Sequence, residues 1–325
     1  MSNLEQRPAE TDCGGVGVLA DPEVLAPREV PLGGPRAMTV RRTLPHRDRR
    51  MVGAWCFVDH YGPHDVTGQA GMQVPPHPHT GLQTVSWLLE GEVLHRDSVG
   101  STQLVAPGQL NLMTAGHGIS HSEQTPAPAE RSTSSLNGIQ LWVALPSEFR
   151  DVAPSFEHHA ALPVLSDGGM RAQVVMGSLA GETSSATTYS PLVGVDVALS
   201  AGKSATLPVE PDFEHAVLAM EGDLAVAERT VHRGELLYLP PGARELSLSS
   251  DTAARALLIG GVPFSEEIVM WWNFVGTDHD AIATAREQWE AHDVRFGEVP
   301  GDGRLSAPTL PNSRLKARGR TRTSR

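Results

Sequence analysis

Two short segments, Pro75–Gly81 (PPHPHTG) and Gly118–Glu123 (GISHSE), decide what we expect of this chain. In each segment, side chains that can bind metal lie two positions apart, and residues i and i+2 of a β-strand point to the same face. The candidate ligands are His77, His79, His121 and Glu123. We therefore predict that two antiparallel strands bring three imidazoles and one carboxylate to a single metal ion.

This ligand set limits the choice of metal. Three neutral nitrogens and one carboxylate suit Fe, Mn, Ni, Cu or Zn, and a six-coordinate ion would keep two positions open for water, oxygen or a substrate oxygen. A single histidine in a barrel is usually a polar residue with a structural hydrogen bond. The set of four differs because strand parity and paired spacing coincide twice.

The rest of the chain predicts an all-β fold. Short apolar runs alternate with Gly and Pro from residue 36 to 145, and this rhythm returns from 187 to 261. Many short strands at such spacing are typical of antiparallel barrels or sandwiches. The order strand, Glu-Gly turn, strand, Gly turn, strand occurs twice, which indicates that one β-barrel has been duplicated.

The second copy is expected to lack the metal site. At the place of the first histidine pair it offers only Glu214 and His215, and His232 is isolated. Near the end of the chain, Ile282, Ala285, Trp289 and His292 follow a helical spacing, with Thr277 or Asp278 as the cap. We predict six parts: a flexible lead (1–25), an N-terminal barrel with the metal site (26–150), a linker (151–186), a degenerate C-terminal barrel (187–276), a helix (277–296) and a disordered basic tail (297–325).

Composition restricts the partners and the compartment. The formal net charge of −12 argues against nucleic acid as the main partner. The two cysteines, Cys13 and Cys56, are expected to be reduced thiols. The start of the chain lacks the apolar core of a signal peptide, and no apolar run is long enough to cross a bilayer. We expect a cytoplasmic protein with no membrane partner.

The chain resembles the cupin superfamily and, more narrowly, the pirin family of bicupins. The resemblance covers roughly residues 25 to 295. The matching segments are Arg42–Pro45 (RTLP), Trp55–Pro63 (WCFVDHYGP), His77–His79 (HPH), Leu88–Gly91 (LLEG), His95–Ser98 (HRDS), Met113–Gly116 (MTAG), His121–Glu123 (HSE) and the stretch from Gly260 to Phe274.

The resemblance implies two tandem cupin barrels, with His77, His79, His121 and Glu123 as ligands of one divalent metal. Fe(2+) is the usual metal of the family, and Mn, Ni, Cu, Co and Zn stay open. Some pirins resemble quercetin (flavonol) 2,3-dioxygenases, which implies a small aromatic or enolic substrate and O2. If the site is catalytic, the ligand set makes Glu123 the candidate general base, provided that it can detach from the ion. Others are similar to non-enzymatic, metal- and redox-dependent regulators that bind a partner protein. The two paired barrels predict a monomer.

Two positions depart from the family pattern. Gln83 stands where many pirins have Glu, and we expect it to face the metal cavity because it shares strand parity with His77 and His79. His117 stands where the family tends to have Arg, Ser or a small residue, and it could donate a hydrogen bond to a metal ligand. For His95 and Asp97, which also share parity, we expect a structural hydrogen bond.

Overall fold

The computed structural model describes residues 21–32, 38–301 and 303–321. The strands of the first half are β1 (Glu23–Leu25), β2 (Arg28–Leu32), β3 (Met38–Leu44), β4 (Trp55–Asp65), β5 (Gln73–His79), β6 (Leu82–Glu90), β7 (Val93–Asp97), β8 (Thr102–Val105), β9 (Leu110–Thr114), β10 (Ile119–Gln124), β11 (Ser135–Ala144) and β12 (Ser155–His159). Short 3-10 helices lie at Pro128–Glu130 and Ser147–Phe149.

The strands of the second half are β13 (Val164–Asp167), β14 (Met170–Leu179), β15 (Glu182–Thr183), β16 (Leu192–Leu199), β17 (Lys203–Pro208), β18 (Glu214–Glu221), β19 (Leu224–Val226), β20 (Arg229–Val231), β21 (Leu236–Leu239), β22 (Glu245–Ser250), β23 (Ala254–Gly261), β24 (Val269–Trp271) and β25 (Phe274–Gly276). The helix α1 (His279–Glu290) and a 3-10 helix at Val294–Phe296 follow.

Two barrels with the same strand order confirm the predicted all-β duplication. The first combines a large sheet, β12-β9-β6-β11-β4-β3-β2, with a small sheet, β5-β10-β7-β8. The second combines the path β1-β21-β18-β23-β16-β14-β13 with the small sheet β17-β22-β19-β20. Position by position, β18 therefore corresponds to β6, β17 to β5, and β22 to β10.

The two barrels exchange edge strands. The strand β1, which precedes the first barrel in sequence, pairs with β21 of the second barrel. The strand β12, which directly precedes the second barrel in sequence, pairs with β9 of the first barrel. The segment predicted as a linker (151–186) thus supplies strands to both large sheets, since β13 and β14 belong to the second. Most of the predicted flexible lead lies outside the described residues.

The large sheets pack face to face and share one hydrophobic core. On β6, Val85, Trp87 and Leu89 point into this core, where Leu218 and Ile259 of the second barrel also lie. The indole Nε1 of Trp87 donates to Oδ2 of Asp196 on β16, at 2.9 Å. Because alternate residues of a strand face opposite sides, the even-numbered residues of β6 point into the first barrel.

The position of Glu214 and His215 differs from the prediction. They begin β18, which corresponds to β6 and not to the strand of His77 and His79. Glu214 is fully buried between the barrels, where its carboxylate accepts from the backbone N of Gly53 (2.7 Å) and the hydroxyl of Tyr238 (3.0 Å). On β17 and β22, the true counterparts of the metal strands, the inward residues are the buried leucines Leu207, Leu246 and Leu248.

The helix α1 begins where the sequence indicated. Asp278 caps it by accepting from the backbone N of Ala281 at 2.9 Å. Ile282, Ala285 and Trp289 form its buried face, whereas His292 lies beyond its last residue. No helix among the described residues has the length and apolar character that crossing a membrane requires.

The basic tail differs from the prediction of disorder over residues 303–321. Leu305, Leu310 and Leu315 pack in the apolar cluster that surrounds the buried face of α1. Farther along, the backbone of Arg318 exchanges two hydrogen bonds with Ile268, and the guanidinium of Arg320 pairs with the buried carboxylate of Glu214. The basic residues dominate the composition of this segment, but its leucines provide enough apolar surface to hold it on the folded protein.

Candidate metal centre

The two predicted segments form neighbouring strands of the small sheet in the first barrel. His77 on β5 lies directly opposite His121 on β10. Three of the seven residues of β5 are prolines, which lack a backbone N–H donor. The strand tolerates them because, among the described strands, it lies at the edge of its sheet and pairs only with β10.

The three imidazoles converge on one point. His77, His79 and His121 each offer a ligand nitrogen, and these atoms lie within 4.8 Å of one another. All three side chains are fully buried. The Nε2 atoms of His79 and His121 are 3.1 Å apart. Two nitrogens bound at right angles to one ion, at about 2.1 Å each, would be roughly 3.0 Å apart.

Backbone carbonyls fix which nitrogen of His77 and His79 is protonated. Nδ1 of His77 lies 2.9 Å from the carbonyl oxygen of Pro75, and Nδ1 of His79 lies 3.2 Å from that of Asn273. A carbonyl only accepts, so each Nδ1 carries the hydrogen and each Nε2 keeps its lone pair. Nε2 of His77 is buried and has no hydrogen-bond partner among the described residues, which is the state of a nitrogen placed to bind a metal.

A chain of side chains fixes the tautomer of His121 in the same way. Asp97 Oδ1 accepts from the backbone N of Val99 and Ser101, and its Oδ2 lies 3.1 Å from Nε2 of His95. His95 therefore carries its hydrogen on Nε2 and presents a bare Nδ1, which lies 3.3 Å from Nδ1 of His121. His121 donates through Nδ1, so its Nε2 also faces the centre unprotonated. The predicted His95–Asp97 hydrogen bond is confirmed.

Glu123 lies beside the imidazoles and not among them. Its carboxylate does not belong to the group of ligand atoms within 4.8 Å of one another. An extra residue in β5 shifts the register, because Pro75 and Pro76 together lie opposite Ser122, so that Glu123 lies opposite Val74. The charge of Glu123 raises the pKa of His77, an effect smaller than that of burial, which indicates that the two groups are close.

Ser86 holds the carboxylate of Glu123. Its Oγ is 3.3 Å from Oε1 of Glu123 and 3.0 Å from Oε1 of Gln140, and one hydroxyl hydrogen cannot serve both acceptors. Nε2 of Gln140 has no partner in the described part of the chain. Rotating the Gln140 amide by a half-turn resolves both problems, because the amide then donates to Ser86 and Ser86 donates to Glu123.

Burial keeps the three imidazoles neutral. It lowers the pKa of His77 well below its usual range, with a further contribution from His79, and it lowers the pKa of His79 to about 3. Burial, followed by the neighbouring His77, also lowers the pKa of His121. Neutral imidazole is the form that binds a metal ion.

The C-terminal part of the chain completes the site. The hairpin of β24 and β25 brings the carbonyl of Asn273 to His79, although the two residues are 194 positions apart in sequence. Gly81, at φ 70°, makes this approach possible, because a Cβ at that position would lie 2.3 Å from the carbonyl oxygen of Val275. The sequence contains no local signal for the contact with Asn273.

Neither departure from the family pattern reaches the centre. Gln83 is buried on the inter-barrel face of β6, where its Nε2 donates to Thr114 Oγ1 (3.0 Å) and the Thr187 carbonyl (3.1 Å). The prediction that Gln83 faces the cavity is wrong, because the turn at Thr80–Gly81 breaks the parity between β5 and β6. The imidazole of His117 is half-buried and makes no hydrogen bond with a described residue.

Comparison with known proteins identifies the family. The model described as Pirin matches residues 37–143, and the model described as Pirin C-terminal cupin domain matches residues 194–297. A Pseudomonas aeruginosa protein named "Putative quercetin 2,3-dioxygenase" is 46% identical over 316 residues, which cover 96% of this chain and 98% of the relative. The chain belongs to the pirin family.

Solved structures of pirin-like proteins share the fold. The crystal structure of a quercetin 2,3-dioxygenase from Acinetobacter baumannii has a TM-score of 0.86 and 41% sequence identity, with coverage of 91% of this pirin and 98% of that chain. The bacterial pirin YhhW from Escherichia coli, solved in complex with nickel(II), has a TM-score of 0.57 at 18% identity, with coverage of 74% and 99%. At that identity the likeness to YhhW shows the fold alone.

Proposed function

We propose that this pirin is a metal-dependent dioxygenase that opens a flavonol such as quercetin with molecular oxygen. The observation that carries the proposal is the convergence of His77, His79 and His121, each with Nδ1 engaged and Nε2 directed to a common point. The likeness to proteins named as quercetin 2,3-dioxygenases supports this reaction class.

The residues present fit a divalent transition ion. Three neutral imidazoles, one of them with a buried Nε2 that has no other partner among the described residues, form a typical nitrogen donor set. The family resemblance favours Fe(2+), and Mn, Ni, Cu, Co and Zn are the alternatives to be tested. When bound, such an ion would lower the pKa of a coordinated hydroxyl and assist electron transfer to oxygen.

We assign two roles to Glu123: it would move in as the fourth ligand when a metal ion is bound, and it would act as the general base when it is detached from that ion. Its carboxylate is close to the imidazoles but outside their immediate group, so it can accept the proton of the substrate's enolic hydroxyl at one of its oxygens. Ser86 orients the carboxylate through Oε1. A positioned base of this kind contributes about 10²–10⁴-fold to a rate.

The interior of the first barrel contains an apolar wall beside Glu123. Tyr61 belongs to this wall, and burial followed by the charge of Glu123 raises the pKa of its phenol well above the usual value, which places the wall beside the carboxylate. The wall consists of Val30, Val40, Tyr61, Val66, Met72, Val74, Leu88, Val93, Val105 and Leu136. Such a wall would exclude water from a bound flavonol.

Oxygen uptake with quercetin tests the proposal. The full chain, loaded in turn with Fe(2+), Mn(2+), Ni(2+), Cu(2+), Co(2+) and Zn(2+), is assayed beside His77→Ala, Glu123→Gln and the exposed control His232→Ala. We expect His77→Ala to lose the metal and the activity, Glu123→Gln to lose about 10²–10⁴-fold in kcat, and the control to match the wild type. Elemental analysis of each sample reports metal occupancy.

The rival function is a metal- and redox-dependent regulator that binds a partner protein. Under that function, wild type and His77→Ala consume oxygen at the same background rate with every metal. Equal rates would end the dioxygenase proposal, whatever the metal content of the two proteins.

A further inference from the structure

A cavity of about 190 Å³ lies at the end of the second barrel, away from the candidate metal centre. Its base is formed by His215 at the start of β18, and its walls include Leu179, Val193, Val209 and Phe213. The first barrel carries His77 and His79 on the strand that corresponds to β17. The cavity borders the last residue of β17 and the first residues of β18, so it lies at this end of the second barrel and not among the leucines that replace the metal ligands.

His215 is an unpartnered polar side chain in this cavity. It is 2% exposed and shares strand parity with Val217 and Ala219, which pack inside the second barrel. Its imidazole makes no hydrogen bond with any described residue, and Nε2 is buried. Gly260 on β23 leaves room for the ring, because a Cβ there would lie 2.6 Å from Cδ2 of His215. A buried polar group without a partner is costly, and a ligand that bonds to it would remove that cost.

We propose that this cavity binds an uncharged, single-ring phenol whose hydroxyl hydrogen-bonds to His215. This site is independent of the proposed dioxygenase activity. The size fits one ring, since an apolar cavity of about 150 Å³ holds benzene. The walls combine the apolar side chains of Leu179, Val193, Val209 and Phe213 with polar groups, and the ring of Phe213 lies 6.1 Å from that of His215.

The charges around the cavity exclude an anion. Glu210 lies at the rim, and neither Lys nor Arg is among the described residues that line the cavity. Burial lowers the pKa of His215 to about 4, so the imidazole is neutral near pH 7 and offers no positive charge to a carboxylate. A neutral imidazole can accept the hydrogen of a phenol, which a purely aliphatic cavity could not do.

Calorimetric titration with phenol, toluene and benzoate tests the site on the full-length, metal-loaded protein. We expect phenol to bind and benzoate to fail. His215→Phe keeps a ring but removes the hydrogen bond, so it should weaken phenol binding about threefold to tenfold and leave toluene unchanged. Ser178→Trp is a change at the exposed rim of the cavity and should block the binding of phenol and toluene alike. If His215→Phe does not fold, Ser178→Trp tests whether phenol binds in this cavity.

The His77→Ala variant separates this site from the metal centre. Its affinity for phenol should equal that of the wild type. Loss of phenol binding in His77→Ala, or its survival in Ser178→Trp, would place the phenol elsewhere and overturn the proposal. No detectable phenol binding, or equal loss of phenol and toluene in a folded His215→Phe, would also overturn it.

Discussion

Nδ1 of His121 lies 3.3 Å from Nδ1 of His95, which connects a candidate metal ligand to the carboxylate of Asp97 through a second imidazole. The ring of His95 is itself fixed, because it stacks on Phe156 at 4.4 Å with an interplanar angle of 17°. The orientation of the ligand thus depends on a residue that does not reach the metal. Partners of this kind set both the tautomer and the basicity of a metal-binding histidine.

Replacing His95 by Phe should weaken metal binding about 10- to 100-fold. The substitution keeps the ring that stacks on Phe156 but removes the acceptor for His121 Nδ1. The measurement is the dissociation constant of one chosen metal by competition with a chelator, and the circular dichroism spectrum checks the fold. The exposed His232→Phe is the matched control. An unchanged dissociation constant in folded His95→Phe would show that His121 does not depend on His95.

The substitution Gln83→Glu should destabilise the fold by about 1–3 kcal/mol. The amide donates to the Thr187 carbonyl, and a carboxylate there would put two acceptors face to face in a buried place. Urea unfolding measures the change, and Gln69→Glu makes the same chemical change at an exposed position. An unchanged or higher stability of Gln83→Glu would contradict the position that we describe for this side chain.

Arg320→Gln should cost about 3 kcal/mol of unfolding free energy. It removes a charged partner of Glu214, whose side chain is fully buried between the barrels. Arg314→Gln serves as the control within the same tail, since the Arg314–Asp280 pair is 67% and 73% exposed and its loss should not be measurable. If the two variants unfold at the same urea concentration, the tail does not hold the barrels together through Glu214.

Stability should fall as the pH drops from 6.5 towards 4, in part because of His215. Burial lowers the pKa of this imidazole from 6.5 to about 4, so the unfolded chain takes up a proton in this range and the folded chain does not. The contribution of the neutral His215 to the unfolding free energy is complete above pH 6.5 and is lost as the pH falls towards 4. His215→Phe should reduce the drop in unfolding free energy over this range by about 2–3 kcal/mol.

The exposed His232 is the control for this pH series. The hydrogen bond that His232 donates to Asp223 raises the pKa of His232, so the contribution of His232 to stability has the opposite sign and is lost as the pH rises. His232→Phe should therefore keep the full acid-induced loss of stability. Parallel pH profiles for His215→Phe and the wild type, measured by urea unfolding at equal metal occupancy, would contradict a neutral His215 in the folded protein.

Much of the candidate site follows from local sequence. His77 and His79 lie on one strand, so their shared face follows from the period of two, and the same holds for His121 and Glu123. The extra residue lies in β5, so β10 keeps that parity, and Glu123 lies opposite Val74 and outside the imidazole group. Gln83 shows the limit of parity, which holds within a strand and not across a turn.

The sequence by itself determined that this chain folds as duplicated β-barrels with one histidine cluster. The features that decide this are the hydrophobic runs, the Gly turns, the two ligand pairs and the Asp278 cap. They can be read from the sequence because strand periodicity, turns and caps act between residues near one another in the chain. Only the tertiary structure decided that Asn273 fixes the tautomer of His79, that His95 fixes His121, that β1 and β12 exchange barrels, and that the tail binds Glu214. These contacts join residues far apart in sequence, and their energies depend on distances that only the packed sheets define.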